Sequence, residues 1–413
     1  MEEWKTCRLA EICDLIPGFA FKSGDFGDFP IKAIKIGDIQ PPYVNRATMA
    51  GVNTEAYNKT KLEKFVVRRG DFVLAMTGAT IGKLGLYIED TPAYLNQRVL
   101  LFRPHSDVNE RYVYYALLSP VFQKYVINHI DSETAQPNIS GKSVSGFEIS
   151  LPSRAEQDRI ASILSTIDDK IELNNRINHN LEEQAQALYK SWFIDFEPFK
   201  VGGFVNSELG MIPKGWCVIK AKDFCPINIG KTPPRKESQW FSSNRDDITW
   251  VSISDMAECG VFLDSSSETL THDAIRSFNI TIVPEGSVLL SFKLTIGRVA
   301  IAGKKLTTNE AIARFITDDS ERTQYLYLTL KNYDYSKLGS TSSIATAVNS
   351  KIIRAMPLIY PGEKVICDFA QVVSSLFGEI RKRQIENKLL TEIRDTILPR
   401  LMSDRLKAVV SDC

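Results

Sequence analysis

The order of short motifs along this chain occurs twice, and this repetition most limits the folds that the chain can adopt. Seven motifs of the first half recur in the same order in the second half: 31–39 with 248–256, 70–76 with 286–292, 80–83 with 295–298, 96–97 with 309–310, 112–117 with 325–330, Lys142 with Lys351, and Pro152 with Pro361. The matched residue numbers differ by 217 at the first motif and by 209 at the last. Two copies with loops of different length would give such a slowly shrinking offset. The chain is therefore predicted to contain one domain in two copies.

A helical stretch follows the globular part of each copy. Residues 156–193 contain neither Pro nor Gly, and apolar or small residues recur there at alternating spacings of four and three, which is typical of a coiled coil. The seam positions of the first stretch are Ile160, Leu164, Ile167, Ile171, Asn174, Asn178, Leu181, Ala185 and Leu188. The offset of 209 residues places the second seam at Phe369, Val373, Leu376, Ile380, Arg383, Asn387, Leu390, Arg394 and Ile397. A coiled coil needs a partner helix, and here the chain supplies one.

These patterns predict an α+β architecture in which two repeated domains of mixed strands and helices are separated by two long antiparallel coiled-coil helices. The predicted boundaries are 1–152 for the first domain, 153–197 for the central long helix, 198–215 for a linker, 216–360 for the second domain and 361–406 for the C-terminal long helix. The linker is predicted because two Pro and four Gly fall between Glu197 and Gly215. Trp216 then opens the second copy as Trp4 opens the first.

The midpoints of the two helices carry equivalent asparagines. Asn178 and Asn387 lie close to residues 176 and 385, the two midpoints, and both lie on the predicted seams. In an antiparallel pair with a pseudo-two-fold axis, equivalent midpoint residues face each other. We therefore predict that the two amides hydrogen-bond to each other and fix the helix register. The alternative is that both asparagines face water.

Composition narrows the class of protein. The 413 residues are 44% hydrophobic and 24% charged with a formal net charge of zero, which fits an ordinary globular protein. Zero net charge argues against a protein that coats nucleic acid, because phosphate binding needs clustered cations. The acidic N-terminus lacks a long apolar core, so we expect no signal peptide. Apolar runs such as 72–76 are too short to span a bilayer, so we expect no membrane segment and a cytoplasmic location. The seven scattered cysteines lack a C-x-x-C pair and are expected to be reduced thiols rather than zinc ligands.

Two short motifs imitate catalytic signatures. The segment 40–43, Gln-Pro-Pro-Tyr, is similar to the tetrapeptide of amino-methyltransferases, but its first residue differs and no glycine-rich cofactor loop accompanies it, so we interpret it as a polyproline turn. The segment 78–83 is one residue short of a P-loop and Leu84 replaces the required Ser or Thr, so we interpret it as a turn that offers N–H groups and one cation to a phosphate. The histidines and carboxylates show no catalytic or metal-binding spacing, which favours a binding or scaffolding role.

Several segments together resemble the specificity subunits of type I restriction-modification enzymes. They are the turn at 77–83 (TGATIGK), the helix opening at 151–160 (LPSRAEQDRI), the helix end at 188–196 (LYKSWFIDF), the segment at 207–216 (SELGMIPKGW) and the helix end at 397–402 (ILPRLM). The second copy departs from this pattern, because its helix opening at 361–367 lacks the Glu-Gln pair and residues 293–294 are Lys-Leu where 77–78 are Thr-Gly. The resemblance covers nearly the whole chain.

The resemblance implies a DNA-binding subunit without catalysis of its own. Each of two target-recognition domains would read one half of a bipartite site in double-stranded DNA, and the chain would recruit two methyltransferase subunits and, optionally, two restriction subunits. It would hold no cofactor, since S-adenosylmethionine and ATP with magnesium would belong to those partners. About 30 helical residues span roughly 45 Å, comparable to about 13 base pairs, so the helices would act as a ruler for the unread spacer. A fused methyltransferase-specificity protein and a coiled-coil adaptor without a DNA role are the alternatives.

Polar and basic residues in or beside the repeated turns are the predicted DNA contacts. They are Lys22, Thr77, Thr80, Lys83, Gln97, Arg98, Asn138 and Lys142 in the first domain, and Lys231, Arg235, Lys236, Lys293, Arg298, Asn309 and Lys351 in the second. Any of them could instead be a solvated surface side chain. The predicted partner-binding residues lie beside the seam or at the helix end: Ile163, Ile177, Trp192, Phe193 and Phe196. The alternative for the aromatic residues is packing against the chain's own domain.

Overall fold

The computed structural model describes residues 4–131, 137–244, 246–317, 319–338 and 348–403. These residues form two compact units. Unit 1 combines the chain up to Lys170 with the chain from Leu389 onward, and unit 2 is Ile171–Lys388. The end of the predicted C-terminal helix, 404–406, and Cys413 lie outside the described residues.

Unit 1 begins with a mixed domain built mainly of short strands. Its strands are β1 (Lys5–Arg8), β2 (Cys13–Pro17), β3 (Phe26–Ile34), β4 (Ile39–Gln40), β5 (Tyr43–Val44), β6 (Ala50–Val52), β7 (Val66–Val67), β8 (Phe72–Ala75), β9 (Leu84–Leu86), β10 (Ala93–Leu95), β11 (Val99–Pro104) and β12 (Glu148–Leu151). Its short helices are α1 (Leu9–Ile12), α2 (Lys59–Leu62), α3 (Glu110–Leu118), α4 (Pro120–Asn128) and α5 (Gly141–Ser145). The long helix α6 (Arg154–Phe193) follows and extends into unit 2.

Two sheets give this domain its core. The larger sheet has the strand order β2-β11-β8-β9-β5-β4, the smaller has the order β6-β3-β10-β7, and β1 pairs with β12. Residues 72–75 and 99–102 are buried on both sides of the larger sheet, which explains why β8 and β11 are continuous apolar runs. A cluster of buried side chains on this sheet includes Ile160, Leu164 and Leu398 from the long helices. Helix residues therefore complete the core of the domain.

Unit 2 repeats the same plan. Its strands are β13 (Phe204–Ser207), β14 (Gly210–Pro213), β15 (Cys217–Lys220), β16 (Ile227–Ile229), β17 (Phe241–Ser242), β18 (Ile248–Val251), β19 (Phe262–Leu263), β20 (Glu268–Leu270), β21 (Val288–Ser291), β22 (Val299–Ala302), β23 (Thr307–Thr308), β24 (Ile312–Phe315) and β25 (Pro357–Tyr360). Its helices are α7 (Ala221–Phe224), α8 (Asp255–Glu258), α9 (His272–Ser277), α10 (Ser320–Lys331), α11 (Ser350–Ala355) and the long α12 (Glu363–Leu401), which extends into unit 1.

The strand order of the larger sheet confirms the predicted duplication. In unit 2 this sheet has the order β16-β24-β21-β22-β19, which repeats the order β2-β11-β8-β9-β5 of unit 1 strand for strand. The smaller sheet has the order β17-β20-β18-β23, and its parallel pair of β18 with β23 repeats the parallel pair of β3 with β10. The pair of β15 with β25 repeats that of β1 with β12.

The predicted linker, 198–215, contains regular structure. A 3-10 helix at Glu197–Gly202 leads into the antiparallel hairpin of β13 and β14. Ile212 and Trp216 are buried in the same core cluster as Phe193. The segment is thus packed onto unit 2, because its apolar side chains find a place in that core.

The long helices α6 and α12 have 40 and 39 residues. In both helices, polar residues occupy most of the positions between the predicted seam residues, which is typical of a coiled coil. Within the described ranges, no helix has an apolar stretch long enough to cross a lipid bilayer.

The two long helices are antiparallel in unit 1, as predicted. Asp168 of α6 contacts Arg394 of α12, whereas Ile160, about two turns earlier in α6, lies in the same core cluster as Leu398. The carboxylate of Asp168 accepts from Arg394 at 2.9 Å and from the hydroxyl of Tyr115 at 2.7 Å. The side chains of Asp168 and Arg394 are only 5% and 13% exposed. The helices thus meet through an ion pair that water barely reaches.

The helices are also antiparallel in unit 2. Tyr189 of α6 packs against Phe369 of α12 with ring centroids 6.3 Å apart. Asn174, earlier in α6, meets Asn387, later in α12. The amide of Asn174 donates to Asn387 Oδ1 at 2.8 Å, and the amide of Asn387 donates to Asn175 Oδ1 at 2.7 Å.

The predicted pairing of Asn178 with Asn387 is therefore wrong by one helical turn. Asn178 is half-buried, and its Oδ1 is buried without a hydrogen-bond partner among the described residues. Contacts between large aromatic side chains, such as Tyr189 and Phe369, bury far more area than one amide pair does. They set the register in unit 2, and the asparagines pair as that register allows.

Cysteine crosslinking tests this register. In a chain without its native cysteines, we expect Asn174→Cys with Asn387→Cys to form a disulfide readily under mild oxidation, because these side chains are in contact. The matched pair Asn178→Cys with Asn387→Cys should oxidise several times more slowly. Non-reducing gels follow both rates. Faster oxidation of the Asn178 pair would restore the register predicted from the sequence.

Removal of one carboxylate tests the ion pair. Asp168→Ala removes the buried carboxylate from Arg394 and leaves this guanidinium with the solvent-exposed Asp395, so we expect the free energy of unfolding to fall by about 3 kcal/mol. Asp395→Ala is the matched control, since Asp395 accepts from the same guanidinium at 2.9 Å but is 59% exposed. The control should cost less than about 1 kcal/mol. Urea unfolding followed by circular dichroism measures both, and equal losses would show that burial does not strengthen this pair.

Candidate nucleic-acid interface

Four loop segments of unit 1 lie close together at one edge of the larger sheet, where its strands end. Strand β11 is antiparallel to β2 and β8, and β8 is antiparallel to β9. Strands β2 and β8 therefore end where β9 and β11 begin. The segments 18–24, 76–83 and 96–98 leave or enter the sheet there, and 137–142 lies beside them. We call this surface edge 1.

Backbone contacts hold these segments together. Gly18 comes so close to the neighbouring chain that a Cβ on it would lie 1.9 Å from the carbonyl oxygen of Asn96. Only glycine fits at such a point. On the other side of the sheet edge, the N–H of Gly78 donates to the carbonyl of Pro137 at 3.1 Å. Predicted DNA contacts from four separate parts of the sequence are thereby brought together.

Edge 1 is exposed and carries several cations. The exposed predicted contacts are Lys22, Lys83, Gln97, Arg98 and Lys142, and Thr80 and Asn138 are half-buried. Thr77 differs, since it is 5% exposed and its hydroxyl is buried. Its backbone forms a β-bridge with Asn138. The structure therefore gives Thr77 a place in the scaffold and not a direct contact with DNA, which corrects the prediction for this residue.

Unit 2 presents the equivalent surface, which we call edge 2. Strands β16 and β21 end where β22 and β24 begin, and the segments 230–237, 292–298 and 309–310 gather there. A Cβ on Gly230 would lie 1.9 Å from the carbonyl oxygen of Asn309. This close approach repeats that of Gly18 on Asn96. The two glycines follow the first strand of their sheets, a repeat signal that our sequence analysis missed.

Two predicted DNA contacts of edge 2 are bound by nearby carbonyl groups. Lys231 Nζ donates to the carbonyls of Phe278 and Asn279, at 3.2 Å each. The guanidinium of Arg298 donates to the carbonyl of Ile253 at 2.7 Å. Both cations therefore hold loops of unit 2 in place.

Arg235 is bound even more firmly. It donates to both carboxylate oxygens of Glu268, at 2.9 and 2.8 Å. Its guanidinium also lies over the rings of Phe241 and Trp250, at 4.4 and 4.5 Å from their centroids. An arginine used in this way stabilises the smaller sheet. The predicted contacts Lys236, Lys293 and Lys351 are exposed, and Asn309 is half-buried.

Glu310 brings a carboxylate to edge 2, and our sequence analysis did not single it out. It is exposed, and it follows Asn309 as Gln97 follows Asn96. The signal was present in the repeat, because the two residues occupy matched positions with different side chains. The sequence did not show that residue 310 lies beside the segments 230–237 and 292–298 in edge 2.

The surroundings of Glu310 keep it charged. Its carboxylate accepts a hydrogen bond from the hydroxyl of Thr232. Partial burial raises the pKa of Glu310. The hydrogen bond from Thr232, the backbone N–H of Glu310 and the charges of Lys293 and Arg235 lower the pKa by more, so it lies below its ordinary value. At neutral pH the side chain is therefore an acceptor only.

The predicted partner-binding residues fall into two groups. Ile163 is 40% exposed and Ile177 is half-buried, both on α6. Trp192, Phe193 and Phe196 instead pack into the core cluster of unit 2, where Phe193 is 2% exposed. The prediction that Phe193 holds a partner is therefore wrong, whereas for the half-buried Trp192 and Phe196 it stays a prediction. Large rings at the helix end gain more by burial against the chain's own domain.

The catalytic-looking segment 40–43 is a tight hairpin turn and not a polyproline turn. Its Pro41–Pro42 peptide is cis, and Gln40 pairs with Tyr43 across β4 and β5. The side-chain oxygen of Gln40 accepts from Asn45 at 2.8 Å, so it serves the fold. In the part of the chain that the structure describes, no three His, Cys, Asp or Glu side chains are placed to hold a metal ion.

Comparison with known families identifies the class of protein. The family model described as "Type I restriction modification DNA specificity domain" matches residues 1–183 and 213–391. The two matches cover most of the chain, and each contains one of the two edges. The chain therefore belongs to the type I restriction-modification DNA specificity family. Its two repeated domains fit a bipartite DNA site.

Relatives from two organisms match almost the whole chain. The type I restriction enzyme HindI specificity subunit of Haemophilus influenzae is 25% identical over 98% of this chain and 100% of that protein. The MjaIX specificity subunit of Methanocaldococcus jannaschii is 28% identical over 98% of this chain and 94% of that protein. The crystal structure of a type I restriction-modification S subunit from M. genitalium matches with a TM-score of 0.53 at 15% identity, covering 97% of this chain and 96% of that one. This structure supports the fold.

Salt dependence separates a phosphate contact from a structural cation. If Lys83 contacts phosphate, Lys83→Ala should lower the slope of log affinity against log salt concentration by about one unit. Arg298→Ala should leave that slope unchanged and lower the melting temperature, because the bond to Ile253 is lost. Fluorescence anisotropy with duplex DNA over a range of salt concentrations measures the slopes. An unchanged slope in Lys83→Ala would remove this residue from the contacts of edge 1.

Proposed function

We propose that this chain is the non-catalytic specificity subunit of a type I restriction-modification complex, and that each edge reads one half of a bipartite DNA site. The observation that carries the proposal is the shared construction of the two edges, in which the same glycine–asparagine contact supports an exposed set of loops. The loops carry different side chains in the two units. Two different half-sites would require this combination of a common scaffold and variable contacts.

Exposed lysines would position the DNA backbone. In edge 1 these are Lys22, Lys83 and Lys142, and in edge 2 they are Lys236 and Lys293. Lys351, the repeat equivalent of Lys142, is also exposed. Contacts with phosphate fix the orientation of a protein on the duplex and carry no sequence information, whereas contacts with base edges do. This division of labour explains how a chain with a net charge of zero binds DNA, since its cations are placed locally.

Catalysis would belong to partner subunits in a cytoplasmic complex. Methyltransferase subunits would bring S-adenosylmethionine, and restriction subunits would bring ATP with magnesium. A fused methyltransferase gains no support from the segment 40–43, because its first side chain is bonded within the turn. A coiled-coil adaptor without a DNA role would leave the two exposed edges without a purpose.

Equivalent apolar residues on the two long helices suggest where two methyltransferase subunits bind. Ile163 of α6 in unit 1 is 40% exposed, and Val372 of α12 in unit 2 is 43% exposed. The two positions are 209 residues apart, which is the repeat offset. An exposed apolar residue that recurs at the same helical position in both copies fits a surface that binds the same partner twice.

Lysine substitutions test these two surfaces. Ile163→Lys and Val372→Lys should each weaken the binding of one methyltransferase subunit by about tenfold or more, because a charge replaces apolar area that the interface would bury. Native mass spectrometry of the co-expressed complex should show two bound subunits with the unchanged chain, one with either variant and none with the double variant. Restriction subunits are optional in this assembly.

A third lysine variant is the control for those two. Val121→Lys also changes an apolar residue that is 68% exposed, but on the short helix α4. It should leave both methyltransferase subunits bound. If the double variant of the long helices retained both subunits, these residues would lie outside the partner surfaces.

A further inference from the structure

The two edges place one exposed side chain at the same point of the fold. In each edge an asparagine carbonyl lies against a glycine, and the next residue is exposed: Gln97 in edge 1 and Glu310 in edge 2. Both residues stand two positions before a strand of the larger sheet, β11 or β24. The sheet therefore fixes the point from which each side chain leaves the protein.

The turns that carry these residues are held by hydrogen bonds. The N–H of Gln97 donates to the carbonyl of Phe19 at 2.8 Å. In edge 2, Asn309 Oδ1 accepts from the N–H of Ala311 at 3.1 Å, and Thr232 donates to the carboxylate of Glu310. A side chain that reads a base must be held in position in this way before the DNA arrives.

The two side chains differ in the hydrogen bonds that they can form. The amide of Gln97 has both a donor and an acceptor, which match N7 and the N6 amine of adenine in the major groove. The carboxylate of Glu310 can only accept, and it matches the N4 amine of cytosine. Adenine is a poorer partner for it, because the acceptor N7 lies beside the adenine amine.

A carboxylate at edge 2 needs a partner that is not the DNA backbone. Phosphates repel it, and the exposed Lys236 and Lys293 of the same edge are better placed to meet them. A base amine on the floor of the groove is the donor that DNA offers to a carboxylate. The position of Glu310 therefore points to contact with a base.

We propose that the residue after the edge asparagine reads one base in each half-site, with Gln97 bound to an adenine and Glu310 bound to a cytosine. This inference rests on the proposed function, since it assigns base contacts to surfaces that we propose to face DNA. It also explains why the matched position of the repeat carries an amide in one copy and a carboxylate in the other.

A reciprocal exchange tests the inference. The chain, assembled with its methyltransferase subunits and S-adenosylmethionine, is given a library of duplexes randomised over both half-sites, and the methylated molecules are sequenced. Glu310→Gln should shift the preference at one position of one half-site from cytosine to adenine by about tenfold. Gln97→Glu should shift one position of the other half-site from adenine to cytosine. Each variant should leave the opposite half-site unchanged.

Two further variants separate base contact from a structural role. Glu285→Gln makes the same substitution at an exposed residue just before β21, at the end of the sheet away from edge 2, and should change neither half-site. Thr232→Ala removes the hydrogen bond to Glu310 but keeps the carboxylate, so it should weaken binding without changing the preferred base. Melting temperatures establish that every variant is folded.

The outcomes distinguish this inference from the function on which it rests. Glu310→Gln and Gln97→Glu variants that keep the original motif, or that lose affinity equally for all sequences, would overturn the assignment of bases while sequence-specific binding by the unchanged complex still stood. An unchanged complex that selected no sequence at all would overturn the proposed function itself. If one variant failed to fold, the other would decide, because each has its own half-site.

Discussion

Each mixed domain completes its hydrophobic core with side chains from the two long helices, and this burial fixes the sheets and their loops in place. In unit 1 the contributions include Ile160 and Leu398, and in unit 2 they include Phe193 and Phe369, all nearly inaccessible to water. Burial of one such side chain is worth about 1.5–3 kcal/mol. The helices are therefore as much a part of the domains as a connection from one copy to the next, and rigid sheets built on them can hold loops at a defined edge.

The two units share the order of five strands in the larger sheet but differ in chemistry along the helices. Asp168 and Arg394 form a buried ion pair in unit 1, whereas the residues 209 positions away, Phe377 and Ala185, are apolar members of the core of unit 2. A second copy of α6 in the place of α12 would put an alanine opposite Asp168 and leave a buried charge unpaired. Polar groups of this kind contribute more to the choice of partner helix than to net stability.

The two edges show how one scaffold supports different contacts. The close approach of glycine to an asparagine carbonyl is common to both, so the loops leave the sheet at the same place. Both edges present exposed lysines, but in edge 2 Arg298 holds a loop and Arg235 stabilises the smaller sheet. Changes in such loops alter what a domain can contact without disturbing its core, since the variable side chains lie outside the buried clusters.

The duplication, the two long helices, their antiparallel pairing and the family were all predictable from the sequence, because motif order and hydrophobic periodicity can be read along the chain without knowledge of distances in space. It also indicated which turns would form the interface. The register that pairs Asn387 with Asn174, the burial of Phe193 and the bond between Arg235 and Glu268 became visible in the folded structure alone. Each of these outcomes depends on distances between residues that are far apart in the chain, and those distances are set when the sheets and helices pack together.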